Sequence, residues 1–130
     1  MEERIRDLEQ KIAAGSGAAA LELAESYKWG YFGEVDFQKA EKIYRLCAKS
    51  KSRTLSSKGY YNLGLLYYHG FIGDPEHPDR EKAYRCFVQS SLLFPNRAAL
   101  TLLADMYRYG QVVEKNDSVA LTLYAQAAAS

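Results

Sequence analysis

The apolar positions of this chain fall into helical stripes that recur at a fixed step. Leu23, Leu63 and Leu103 each stand four residues before a tyrosine, Tyr27, Tyr67 or Tyr107, and each is followed by a small residue, Ala24, Gly64 or Ala104. Three residues beyond each tyrosine comes a glycine: Gly30, Gly70 and Gly110. The step between units is 40 residues both times. Residues four apart share one helix face, so each unit opens with a helix A that its glycine ends in the left-handed conformation. A second stripe follows: Ala40, Tyr44 and Ala48, then Ala83, Phe87 and Ser91, then Ala120, Tyr124 and Ala128. Small, aromatic and small residues at i, i+4 and i+8 predict a helix B whose small positions admit a neighbouring helix. Asp36, Asp79 and Asn116, four residues before the first alanine of each stripe, are placed to cap it.

A helix pair of this size cannot bury its apolar face alone and must stack on copies of itself. The pattern therefore predicts an all-α solenoid of three helix-turn-helix repeats, at about 18–57, 58–97 and 98–130. Residues 1–17 carry the one-sided stripe Ile5, Leu8 and Ile12 and predict a capping helix and turn before the first unit. Unit two holds three extra residues within 71–78, a stretch marked as a turn by Gly73, Pro75 and Pro78. The polar run 49–58 predicts a linker. The chain stops at Ala127-Ala128-Ala129-Ser130 without a polar cap, so truncation, pairing or further repeats are expected there.

Composition narrows the function classes. With 17 basic and 16 acidic residues interspersed and a net charge of +1, the chain lacks the clustered positive charge on which nucleic-acid binding draws. No apolar run approaches a membrane span, and the charged amino terminus lacks the apolar centre of a secretion signal. The expectation is a soluble, cytoplasmic chain with no membrane contact, although a removed signal would leave no trace. Cys47 and Cys86 fall at packing positions of helix B, where the other units carry Ser90 and Ala127, or Ile43 and Leu123; they are read as free packing thiols.

Candidate chemistry adds little. Asp74, Glu76, His77 and Asp79 share a loop but lack regular ligand spacing, so no metal is expected. Gly15-Ser16-Gly17 lacks the Lys-Ser/Thr of a phosphate loop and is read as a turn with Ser16 as a cap. Lys49, Lys51, Arg53 and Lys58 are read as a solvated cluster. Neither histidine belongs to a nucleophile or acid–base arrangement, so no catalytic residue, no enzyme activity and no cofactor is expected.

The three units together, Ala-x-x-x-Leu-Gly-x-x-Tyr-x-x-Gly followed by Asp-x-x-Lys-Ala, resemble the Sel-one-like repeat, a relative of the tetratricopeptide repeat. Ala19, Gly59 and Ala99 open the pattern, and Lys39 and Lys82 complete it, with Val119 in place of the third lysine. The paired cysteines of the family's disulfide-bearing branch are absent. The resemblance implies a right-handed stack that serves as a protein-interaction scaffold, with helix A lining its concave face.

The outward positions of helix A are then the expected partner site. They are Leu21, Glu25, Lys28 and Trp29 in unit one, Tyr61, Leu65, Tyr68 and His69 in unit two, and Thr101, Asp105, Arg108 and Tyr109 in unit three. Aromatic and arginine residues are the usual energetic centres of protein interfaces, so a partner protein or peptide is expected to stack on the rings while Lys28 and Arg108 meet acidic groups. The rival expectation is self-assembly through the terminal helices; an enzyme with an unrecognised site is the remote one.

Overall fold

The computed structural model describes residues 2–130, and within them all regular structure is helical. Helix α1 (Glu2–Ala13) precedes three pairs: α2 (Gly17–Trp29) with α3 (Phe37–Ala48), α4 (Arg53–Tyr68) with α5 (Arg80–Leu93), and α6 (Arg97–Tyr109) with α7 (Asp117–Ala128). Each helix packs on the next along the chain, which makes a right-handed α-solenoid of helix-turn-helix repeats with α1 laid against α2.

The 40-residue step is repeated in the hydrogen bonds. The amides of Tyr31, Phe71 and Gln111 donate to the carbonyls of Ser26, Leu66 and Met106, each at 2.9 Å. Gly30, Gly70 and Gly110 sit beside them at φ 71°, 71° and 69°, a region that a Cβ makes costly. Helix B is then started by Asp36, Asp79 and Asn116, whose side chains accept from the amides of Lys39, Lys82 and Val119 at 3.0, 3.0 and 3.1 Å. In units one and three the capping residue also donates its amide to the repeat tyrosine's carbonyl, Asp36 to Tyr27 and Asn116 to Tyr107. The longer turn of unit two is held differently: Asp74 accepts from the Glu76 amide and pairs with His77 Nδ1 at 2.8 Å.

Repeat positions supply the core. Leu23, Ala24, Ala40, Leu63, Gly64, Tyr67, Gly70, Ala83, Leu103, Ala104 and Ala120 are buried, whereas Tyr27, Gly30 and Tyr107 are half-buried and Gly110 is exposed. Burial raises the thiol pKa of Cys47, and that of Cys86 to about 11, so both are neutral packing groups at ordinary pH.

The stretch 49–58 departs from the expected linker. Ser52 accepts from the Leu55 amide at 3.3 Å, and α4 runs on from Arg53. Its serines are buried because each has a partner. Ser56 Oγ donates to the Ala48 carbonyl at 2.5 Å, and Ser57 and Ser90 clasp α4 to α5 through each other's carbonyls at 2.7 and 2.8 Å. Hydrogen bonding removes the penalty that would otherwise keep a hydroxyl at the surface. Arg53 leaves the solvated cluster as well, donating to the Leu93 and Leu92 carbonyls at the end of α5. Arg97 does the same at the end of α7, where a cation complements the helix dipole.

Candidate interaction surface

The helix-A positions singled out by spacing divide into two groups. Those nearer the middle of each helix pack. Leu21 lies against the cluster of Ala24, Ala40 and Leu63, and Leu65 against that of Tyr67, Ala83 and Phe87. The Tyr61 ring stands 6.1 Å from that of Phe87. Thr101 donates to the Arg97 carbonyl at 2.8 Å, and Asp105 accepts from the Tyr124 hydroxyl of α7. Glu25 alone of this group is exposed.

At the glycine end of helix A, Trp29, His69, Arg108 and Tyr109 form the accessible surface. Trp29 is 54% exposed and Tyr109 62%, because the turning chain leaves their rings beyond the last packed layer. A cation covers each: the Lys28 ammonium lies 5.0 Å from the Trp29 ring centre and the Arg108 guanidinium 5.3 Å from that of Tyr109. Lys28 itself is only 7% exposed, with its stem buried and its charge resting on a ring, a contact that attracts a desolvated cation. Burial lowers the Lys28 pKa, and the Glu25 carboxylate opposes the shift.

Unit two joins the ends. Tyr68 is half-buried against Phe87, and the Arg80 guanidinium lies 4.3 Å from its ring centre. His69 is exposed and meets Tyr68 edge-on at 5.3 Å. Partial burial lowers the His69 pKa, and the nearby charges of Lys28 and Arg80 lower it further. Arg80 and the Tyr68 hydroxyl both reach Gln111 Oε1, at 3.5 Å, and Gln111 follows the Gly110 turn of unit three. An edge of Trp29, Lys28, His69, Tyr68, Arg80 and Gln111 thus links the three turns.

Sequence spacing missed Arg80 and Gln111. Neither belongs to helix A; Arg80 is carried there by the inserted turn that ends at Pro78-Asp79. That insertion was the available signal. The edge offers rings, cations, the His69 imidazole and the Gln111 amide. Among the described residues there is also no group of three or more metal-capable side chains, and Asp74, Glu76, His77 and Asp79 do not converge on one. No helix there is long and apolar enough to cross a membrane.

The Sel1 repeat family model matches residues 17–51, 57–93 and 97–130. A crystal structure of a Sel1 repeat protein from Oxalobacter formigenes is similar over 96% of this chain and 48% of its own, with a TM-score of 0.81 and 20% identity. A protective antigen present in uropathogenic Escherichia coli strains, which displays an SLR fold, is similar over 94% of this chain and 25% of its own, with a TM-score of 0.76 and 21% identity. The chain spans about half the length of the first and a quarter of the second; at these identities the likeness concerns the fold. No curated protein matches the sequence.

Proposed function

The chain belongs to the Sel1 repeat family, and from that premise we propose that it binds an acidic segment of a partner protein along the concave, helix-A side. Sel1 repeat proteins are in general protein-interaction scaffolds and typically not enzymes. The single observation that supports the finer reading is the pairing of exposed rings with cations at the glycine ends, Lys28 on Trp29 and Arg108 on Tyr109, with Arg80 on the half-buried Tyr68 between them. Such pairs present a flat apolar face with fixed positive charge beside it. A partner carboxylate gains a charge-assisted hydrogen bond while a neighbouring apolar side chain covers the ring. Glu25, Lys28, Trp29, Tyr68, His69, Arg108 and Tyr109 are the contact residues in this reading, with Arg80 and Gln111 added; Leu21, Tyr61, Leu65, Thr101 and Asp105 support them from behind. The test is selection from a random peptide library. Acidic peptides are expected to be enriched and to lose about tenfold or more in affinity on Trp29→Ala with Tyr109→Ala; enrichment of peptides indifferent to both changes contradicts the reading.

A second reading, self-assembly through the terminal helices, draws on Leu121, which is 70% exposed on α7. It stands at the register where Tyr84 of α5 meets Tyr107 of the next helix A. A second copy stacking there predicts a mass that climbs with concentration in light scattering and falls to monomer on Leu121→Glu; constant mass excludes it.

A further inference from the structure

Successive B-side helices are separated by a step that occurs three times, and each step is filled differently. In the first, Ile5, Leu8 and Ile12 of α1 close over Leu23 together with Ile43 of α3. In the second, between α3 and α5, long basic chains line the gap: Arg45, Lys49, Lys82 and Arg85 border a recess of about 340 Å³. Arg45 there donates to the Tyr67 hydroxyl at 2.8 Å, and that hydroxyl donates to Glu41 at 2.9 Å.

The third step, between α5 and α7 over α6, has lost that filling. Aligned on Ala40, Ala83 and Ala120, Val88 replaces Arg45, Leu92 replaces Lys49, Val119 replaces Lys82 and Thr122 replaces Arg85. Shorter side chains leave a groove of about 840 Å³, floored by Leu100, Leu103 and Tyr107 of α6, with no charged side chain in its lining. Mostly apolar clefts of several hundred Å³ with a few polar groups are the usual form of small-molecule sites.

Besides Gln126 and Ser130 near the end of the chain, two polar features lie along α5. Ser91 lines the groove, and its Oγ is, among the described residues, the buried side-chain oxygen or nitrogen left without a hydrogen-bond partner. Other helical hydroxyls, those of Ser26, Thr101 and Thr122, are satisfied by the carbonyl four residues back. Ser91 is not, and an orphaned hydroxyl calls for an explanation. At the opposite end the Tyr84 and Tyr107 hydroxyls bond each other at 2.9 Å, which leaves one O–H of the pair free to donate. From Tyr84 to Leu92 α5 rises roughly 12 Å, the reach of an extended alkyl chain of about ten carbons.

We propose that the groove between α5 and α7 binds a neutral single-chain amphiphile, its alkyl chain lying along Val88, Leu92 and Leu123 and its uncharged oxygen-bearing head bonding the Ser91 hydroxyl. The missing basic residues determine the charge of the ligand. A carboxylate head would lose hydration in a lining whose side chains offer no cation, whereas a hydroxyl or carbonyl head turns an unpaired Ser91 into a paired one. Ser91 lines the groove but its oxygen is buried, so bonding the head takes a rotation about χ1 to another staggered rotamer.

The test is a titration of the methyl-labelled full chain with 1-decanol, and separately with decanoate, followed by NMR. The expected result is saturable shifts at the Val88, Leu92, Leu103 and Leu123 methyls with 1-decanol, at least tenfold weaker with decanoate. Leu92→Lys, at an exposed wall position that Lys49 occupies one unit earlier, should weaken 1-decanol about tenfold with an unchanged melting temperature. Ser91→Ala should weaken it several-fold. Equal binding of decanoate, shifts centred on the Trp29 edge, no saturable shift, or a Leu92→Lys variant that binds as well as the parent would each overturn the proposal. So would a mass that doubles with concentration while these methyls become protected, because the occupant would then be a second copy.

Discussion

A Cβ placed on Gly59 would stand 2.5 Å from the backbone nitrogen of Ala48. The first turns of α4 and the end of α3 touch through their backbones, at a register where α2 and α6 carry Ala19 and Ala99. The close approach also brings the Ser56 hydroxyl onto the Ala48 carbonyl. Because the obstacle is backbone, no rotamer change relieves it. Gly59→Ala is expected to destabilise the fold by about 1–3 kcal/mol, despite the better helix propensity of alanine, as read by urea unfolding. A neutral or stabilising result would mean that α3 and α4 leave room for a Cβ between Gly59 and Ala48.

Tyr67 is held at both its ring and its hydroxyl. Its ring is buried and its oxygen accepts from Arg45 and donates to Glu41. Tyr67→Ala is expected to cost about 3–5 kcal/mol, as loss of a large buried aromatic does. Tyr67→Phe should cost about 1 kcal/mol, the usual worth of the hydroxyl's bonds. Denaturant midpoints for both variants check the pair, and equal losses would assign the stability to the hydroxyl instead of the ring.

Lys28 is charged in a buried setting, which costs stability that a surface lysine does not. Its depressed pKa means that the unfolded chain binds the ammonium proton more tightly than the folded one. That penalty is present at neutral pH and disappears as pH rises through the folded value to the unfolded one. Lys28→Met should therefore be at least as stable as the parent at pH 7, by thermal melting, while binding acidic peptides less tightly. A marked loss of stability would show that the ammonium contributes through Trp29 more than burial takes away.

His69 carries the same sign. With its pKa lowered by burial and by Lys28 and Arg80, the folded chain resists protonation. Stability attributable to this group is complete above the ordinary histidine pKa and falls as pH drops through the depressed folded value. Binding of an acidic peptide should move oppositely, strengthening as His69 becomes charged, and His69→Asn should remove that dependence. Calorimetric titration across pH 5 to 8, the range in which histidine charge changes, would reveal a flat profile if His69 lies outside the contact.

The sequence made the fold legible because the repeat exposes its own rules. Tyr27, Tyr67 and Tyr107 with their glycines mark the same turn three times, and one reading constrains all three. The proposed contact surface was legible only at its ends. Lys28, Trp29, Arg108 and Tyr109 follow from spacing, but Tyr61, Leu65 and Asp105 occupy the same nominal stripe and pack against α5 or α7, since a helix in a stack has more than one buried side. Arg80 and the buried Ser57–Ser90 clasp escaped for another reason. Their roles depend on contacts between residues 12 and 33 apart, which local periodicity does not carry.

Trp29 is the single tryptophan of the chain, so its emission reports on the proposed surface without a label. The most direct test titrates the protein with acidic peptides selected against it and follows that emission, with Trp29→Phe and Tyr109→Ala proteins as binding controls. Binding at the ring–cation edge predicts a saturable blue shift as the exposed indole is covered, with Tyr109→Ala weakening the same transition. Saturable binding by calorimetry with an unmoved Trp29 emission and undiminished affinity in both variants would contradict it and assign the partner to another face.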